Sequence, residues 1–244
     1  MKFHTLVLEG DKKAGKKEGP LPVYTKQAYL RRKQRENRPP LRNRSFYLCR
    51  MIEEELKGID LDGSGKITVC AHRDRLVPGE ETYICDQKFH ISIYYLEQEA
   101  IRAIEEADKD MEPMVILEIL RSAFLDIAGR NQYPEKAAEH IEKAFNSIIS
   151  SHFVREERIG RLSKWSQSIG AHVYRVLSAE VGEGWYLQIT DRRGNVLRQE
   201  TIGGDIRYVD RLNSRLYAKS EWRGNTFVIF ERFGKEVFSI SVPS

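Results

Sequence analysis

Between positions 113 and 148 apolar residues return every three or four places, whereas beyond Gly170 they alternate with polar ones in short runs. The first rhythm belongs to helices, the second to strands with one buried face. Pro113 suits the first turn of a helix over 113–129, in which Val115, Ile116, Ile119, Leu120, Ala123, Phe124 and Ile127 form a wide apolar stripe. Pro134 opens another helix, with Ala137, Ala138, Ile141, Ala144, Phe145 and Ile148. An amphipathic helix is expected over 97–109. A further one starts near Ser45, a suitable N-cap, places Cys49, Ile52 and Leu56 on one face and stops at Gly58. Residues 26–37 read as a strongly basic helix ended by Pro39 and Pro40.

Strand signals flank these helices. F-H-T-L-V-L (3–8) is the first. K-I-T-V-C-A (66–71) and E-T-Y-I-C (81–85) are expected to pair across a turn carrying Pro78 and Gly79, and K-F-H-I-S-I-Y-Y-L (88–96) extends this small antiparallel sheet. After Gly170, β-rich runs are separated by D-R-R-G-N, G-G-D, R-G-N and G-K, the connectors of an antiparallel meander. In one of them Trp185, Leu187 and Ile189 face opposite Tyr186, Gln188 and Thr190. The pattern predicts an α+β protein: an N-terminal α/β portion with a small antiparallel sheet and a central helical layer (1–169), then a C-terminal antiparallel β-meander (170–244).

A length of 244 residues with 41% hydrophobic positions is enough for a sizeable core. No apolar run is long enough for a membrane span, and M-K-F-H-T-L-V-L-E-G is too short and too soon charged for a secretory signal, so a cytoplasmic protein is expected. Three cysteines, Cys49, Cys70 and Cys85, do not make a disulfide framework and are expected as free thiols. The net charge of +4 conceals an uneven distribution: +10 over residues 1–50, −10 over 51–150 and +4 over 151–244. Opposite fields of this kind draw segments together in one fold or face two different partners; the first reading is favoured.

Several stretches approach known chemistry. D-L-D-G-S-G-K-I-T-V-C-A, from Asp60, sets Asp60, Asp62 and Ser64 at the first, third and fifth positions of an EF-hand calcium loop, with Gly65 sixth and Ile67 eighth. The twelfth position, where a bidentate Glu should close the oxygen cage, is Ala71, and the exit prefers a strand. A helix-to-strand turn is expected instead, with its glycines at positive φ and Asp and Ser side chains bonded to nearby backbone N–H groups. G-D-K-K-A-G-K-K at Gly10 lacks the Ser or Thr of a phosphate loop, and Gly19, Pro20 and Pro22 forbid the following helix. Cys70, His72, Cys85 and His90 match no usual zinc spacing, so a core role is preferred for the cysteines. Asp74, Asp86 and Lys88 resemble the D-x(11)-D-x-K pattern of restriction-type nucleases, in which two carboxylates hold Mg²⁺ and the lysine stabilises the attacking water or phosphate charge. The basic run Arg31, Arg32, Lys33, Arg35, Arg38, Arg42 and Arg44 has two open readings, phosphate neutralisation on nucleic acid or pairing with the acidic middle segment.

No complete catalytic constellation emerges, which favours a binding protein over an enzyme and calls for no cofactor or metal. The stretches Y-T-K-Q-A-Y-L-R-R-K-Q, I-C-D-Q-K-F-H-I-S-I-Y-Y-L, R-L-Y-A-K-S-E-W and E-R-F-G-K-E-V-F resemble a bacterial immunity protein of a polymorphic toxin system. That resemblance implies a cytosolic protein that binds one cognate toxin domain and blocks it sterically, and it carries over no functional residues. Charge then suggests a surface for a basic toxin: the acidic stretch with Glu97, Glu99, Glu105, Glu106, Asp108, Asp110 and Glu112. The alternative is a nucleic-acid-binding protein using residues 26–50, with or without nuclease activity at Asp74, Asp86 and Lys88.

Overall fold

The computed structural model describes residues 2–10, 40–71, 82–131, 133–203 and 217–242. The fold is α+β, and it divides into two compact units, Met1–His152 and Phe153–Ser244. The expected basic helix over 26–37 and the turn at Pro78 and Gly79 lie outside the described residues.

In the first unit, β1 (Thr5–Gly10) leads by way of α1 (Leu41–Arg44) and α2 (Phe46–Glu55) to β2 (Lys66–Ala71). Then come β3 (Tyr83–Asp86), β4 (Ile91–Tyr95), α3 (Gln98–Glu106), α4 (Glu112–Ala128) and α5 (Pro134–Ser150). The sheet is mixed, in the order β1-β2-β4-β3. β1 and β4 both run parallel to β2, and only β3 is antiparallel to its neighbour. The expected hairpin between 66–71 and 81–85 is therefore corrected: β4 lies between those two strands. Burial explains why. Ile67, Val69, Cys70 and Ala71 are all buried, so β2 is covered on both faces, as interior parallel strands are.

Ser45 joins α1 to α2 without acting as the expected side-chain cap; its hydroxyl donates back to the Leu41 carbonyl at 2.8 Å. α2 covers the outer edge of β1. The buried Glu53 accepts the Leu6 N–H at 2.7 Å and Arg50 at 2.5 Å, so this edge donor meets a carboxylate in place of water. The stripe predicted for α4 is the centre of the core: Ile116, Leu117, Leu120, Phe124 and Ile127 are buried, and the Phe124 ring lies 5.5 Å from Phe3 and 6.0 Å from Phe145. α3 is shorter than the stretch 97–109 and buries only Ile101 and Ile104.

The second unit holds two antiparallel sheets over one core. β7 (Ile169–Ser178), β8 (Gly182–Asp191) and β9 (Val196–Thr201) form the meander, with β5 (Arg155–Arg158) and β6 (Lys164–Ser166) both on the free side of β7. β10 (Lys219–Arg223), β11 (Thr226–Phe230) and β12 (Glu236–Ser241) form the second sheet. Val173, Trp185, Leu187 and Ile189 from one sheet meet Tyr217, Phe227, Ile229 and Ile240 from the other. Because β5 and β6 pair with β7, residues 153–169 belong to this unit, whereas the change of pattern in the sequence falls at Gly170. Among the described residues no helix is long and apolar enough to cross a membrane.

Phe124→Ala should lower stability by about 3–5 kcal/mol, since it opens a void between Phe3 and Phe145. Urea unfolding followed by far-ultraviolet circular dichroism measures it, and a loss under about 1 kcal/mol would show that α4 does not organise this core.

Candidate functional site

Residues 59–65 carry the chain out of α2 and into β2. Asp62 (φ 51°) and Gly63 (φ 70°) are consecutive left-handed residues, a conformation that Gly adopts freely and Asp tolerates. Gly65, expected to share that role, does not. Asp60 Oδ1 accepts the Gly63 N–H at 2.9 Å, as the turn reading requires. Asn131, just beyond α4, clasps the loop from outside: its Oδ1 accepts the Asp62 N–H at 2.5 Å and its Nδ2 donates to the Asp60 carbonyl at 2.9 Å. Just before β4 the His90 ring donates through Nδ1 to the Gly63 carbonyl at 3.1 Å. The His90 carbonyl accepts both Gly65 and Lys66 N–H groups at 2.9 and 3.1 Å.

Ser64 departs from the sequence expectation. Its hydroxyl turns inward and bonds to the Ser92 hydroxyl, which lies 3.0 Å from the Tyr83 hydroxyl, which in turn donates to Asp62 Oδ2 at 2.9 Å. A carboxylate can only accept, so the proton of Tyr83 is committed to Asp62 and each hydroxyl behind it donates one step forward. The result is a chain running Ser64, Ser92, Tyr83, Asp62 under the turn, polarised toward its carboxylate end. Burial pushes the Tyr83 phenol up to about 12, and its bond to Asp62 adds to this, while Ser92 and Ser64 pull the other way. The loop's carboxylates are thus engaged by protein groups, and its twelfth position, Ala71, is a buried residue of β2.

Outside this turn lies a cleft of about 820 Å³. It is lined by the end of α2 and the turn, with Glu55, Lys57, Asp60 and Asp62, by Arg130, Asn131 and the first turns of α5, with Tyr133, Lys136 and His140, and by His90. The α5 helix begins at Pro134 with no side chain capping it, and its N-cap residue Tyr133 is 69% exposed. His140 donates through Nδ1 to the Lys136 carbonyl at 3.0 Å, since a carbonyl only accepts, and Nδ1 therefore carries the proton. The same logic applies to His90, and neither ring's Nε2 forms a hydrogen bond among the described residues. The acids of the cleft are engaged: Asp60 with Gly63, Asp62 with Tyr83, Glu55 with the Ser147 hydroxyl at 3.3 Å. Lys57 and Lys136 form no ion pair among the described residues. Sequence reading found the turn but not the cleft, because Lys136 and His140 lie more than seventy positions along the chain from Asp60.

The other predicted residues are placed as follows. Glu97, Glu99, Glu106, Asp108 and Asp110 are exposed along α3 and the turn after it, and none of them forms a salt bridge among the described residues. Glu105 is half-buried, and Glu112 is withdrawn from that ridge into an ion pair with Arg44. Arg44 thereby joins the basic N-terminal segment to the acidic middle one; Arg42 is exposed on α1, and Arg31, Arg32, Lys33, Arg35 and Arg38 lie outside the described residues. Asp86 closes the turn after β3, accepting the Lys88 and Phe89 N–H groups at 3.0 and 3.1 Å, while Asp74 lies outside the described residues, as does His72. Cys70 pairs with Tyr95 and Cys85 with Ser92 in register, which sends the two thiols to opposite faces of the sheet. Among the described residues no group of three His, Cys, Asp or Glu is placed to hold a metal ion. Compared with models of protein families, with curated proteins and with solved structures, the chain matches none.

Two outcomes follow from the turn. Because the Tyr83 pKa is raised above its ordinary value of 10.0, the stability gained by keeping its proton is present below pH 10 and is lost as pH climbs toward 12. Tyr83→Phe cannot ionise, so its melting temperature should fall less steeply over that window than that of the unaltered protein; equal slopes would contradict the hydroxyl chain. Added calcium should leave the melting temperature unchanged, and a stoichiometric rise would show Asp60 and Asp62 to be ligands.

Proposed function

We propose that this chain is an immunity protein, which binds a cognate bacterial toxin domain and neutralises it by protein–protein contact. The observation that supports this reading is the acidic ridge of α3. Two isoleucines anchor that helix, and the carboxylates of Glu97, Glu99, Glu106, Asp108 and Asp110 take no part in holding it. These five exposed acids outnumber the two exposed basic residues of the same stretch, Arg102 and Lys109. A stretch with this excess of negative charge presents a field suited to a basic partner. Toxins that attack nucleic acid need basic surfaces for their own substrate, and an acidic protein face competes for them. Complementary fields of this kind act mainly on encounter, raising the association rate above that of neutral partners.

The test uses the candidate toxin domain encoded by the neighbouring reading frame, co-expressed with this chain and scored by growth. Purified, the two are mixed by stopped flow over a range of salt. Glu99→Lys, Glu106→Lys and Asp108→Lys in one chain should slow association at low salt by roughly tenfold or more and flatten its salt dependence, with dissociation little changed. Unchanged association kinetics would remove the ridge from the interface, and failure to protect growth with the unaltered chain would remove that toxin.

A further inference from the structure

The second unit offers a surface of another kind, the outer edge of β9. We propose that β9 pairs antiparallel with β9 of a second copy of this chain, about a two-fold axis at Gln199, so that the sheet continues from one protomer into its partner. The backbone is arranged for this. β9 ends its sheet, and among the described residues no strand pairs with its outer side. The Ile202 N–H donates to the Trp185 carbonyl at 2.8 Å, which fixes the alternation along the strand: Arg198 and Glu200 turn their backbone groups toward β8, and Gln199 and Thr201 turn theirs away. Five of the six residues of β9 are exposed, so nothing covers that edge. An open row of N–H and C=O groups is a template for another strand.

The side chains select both the occupant and the register. β9 reads V-L-R-Q-E-T, with neither the Pro nor the Lys that commonly guards an edge. Arg198 and Glu200 lie two residues apart on one face, and Arg198 Nε donates to Glu200 Oε1 at 2.8 Å. When two such strands pair about Gln199, each Arg198 falls opposite the Glu200 of the partner, and unlike charges directly opposed stabilise a sheet. Sliding the register by two residues is the next step that keeps the outward backbone groups facing each other and every side chain on its face. That step sets Arg198 against Arg198 or Glu200 against Glu200, so repulsion excludes it. A second copy matches this order of charges by symmetry alone. On the other face Gln199, whose Oε1 accepts the Gln188 amide at 3.0 Å, meets its own counterpart at the axis. Leu197, 55% exposed in the single protomer, comes to lie opposite Thr201 of the partner, and part of its apolar surface is withdrawn from water.

Sedimentation equilibrium of the full chain, over roughly 1–500 μM, tests the proposal. A contact between two six-residue strands is small beside the roughly 1,600 Å² of a standard interface, so the expected result is a monomer–dimer equilibrium that shifts with concentration. Arg198→Glu alone sets carboxylates opposite each other, and Glu200→Arg alone sets guanidinium groups opposite each other. Each should raise the dimer dissociation constant by about tenfold or more. Mixed in equal amounts, the two altered chains should associate again, because the unlike pairs are restored between them. Arg198→Glu and Glu200→Arg combined in one chain should dimerise as the unaltered protein does. Both side chains stand at a solvent-facing edge, so circular dichroism should show unchanged folding in every variant. A monomer at all concentrations overturns the proposal. So does a dimer that survives both single reversals, or one lost to them that neither the mixture nor the exchanged pair restores.

Discussion

A strand hydrogen-bonded on both sides and buried on both faces can be solvated nowhere, and β2 is such a strand. The backbone groups of Lys66–Ala71 find their partners in β1, in β4 and in the residues flanking β4, and nearly every side chain must find apolar neighbours. Parallel neighbours cannot be reached by a tight turn, so the chain leaves the far end of β1, passes through α1 and α2, and returns to the end of the sheet at which β1 began. The turn at residues 59–65 is where that return is completed. Its geometry is fixed from several directions because an error of one residue there would shift β2 out of register with both β1 and β4 and send each of its side chains to the opposite face.

The same constraint locates the cleft. His90 precedes β4, the turn precedes β2, and both strands point the same way, so their amino ends lie side by side. α5 brings its own amino end to the same place, and Asn131 ties the loop before that helix to the turn. One cluster of strand and helix beginnings thus brings imidazoles, lysines and carboxylates together at one end of the unit. The acidic ridge of α3 lies on a different element and draws on different residues, so the two surfaces can be altered separately.

Much of this was legible in the sequence, and the failures have physical causes. The α4 and α5 stripes were plain because seventeen-residue helices repeat their pattern several times, and prolines mark both starts. The calcium-like turn was recognisable as a turn because the strand-forming exit and Ala71 are local facts. Strand partners were not legible: alternation identifies a strand but not its neighbour, which is why β4 came between β2 and β3 unannounced. β5, reading R-E-E-R, has no apolar alternation at all, since an edge strand carrying charge needs none. The hydroxyl chain from Ser64 to Asp62 and the walls of the cleft depend on contacts between distant positions, which no window of sequence contains.

α5 does two jobs with one helix. Ala137, Ile141, Ala144, Phe145 and Ile148 look inward, while Lys136 and His140, four residues apart, share a neighbouring face on the cleft. Helical phase keeps the two sets apart, so mutation can explore one without disturbing the other. The cleft face can therefore drift in sequence while the core face stays fixed, which gives this unit room to change its surface without first becoming less stable.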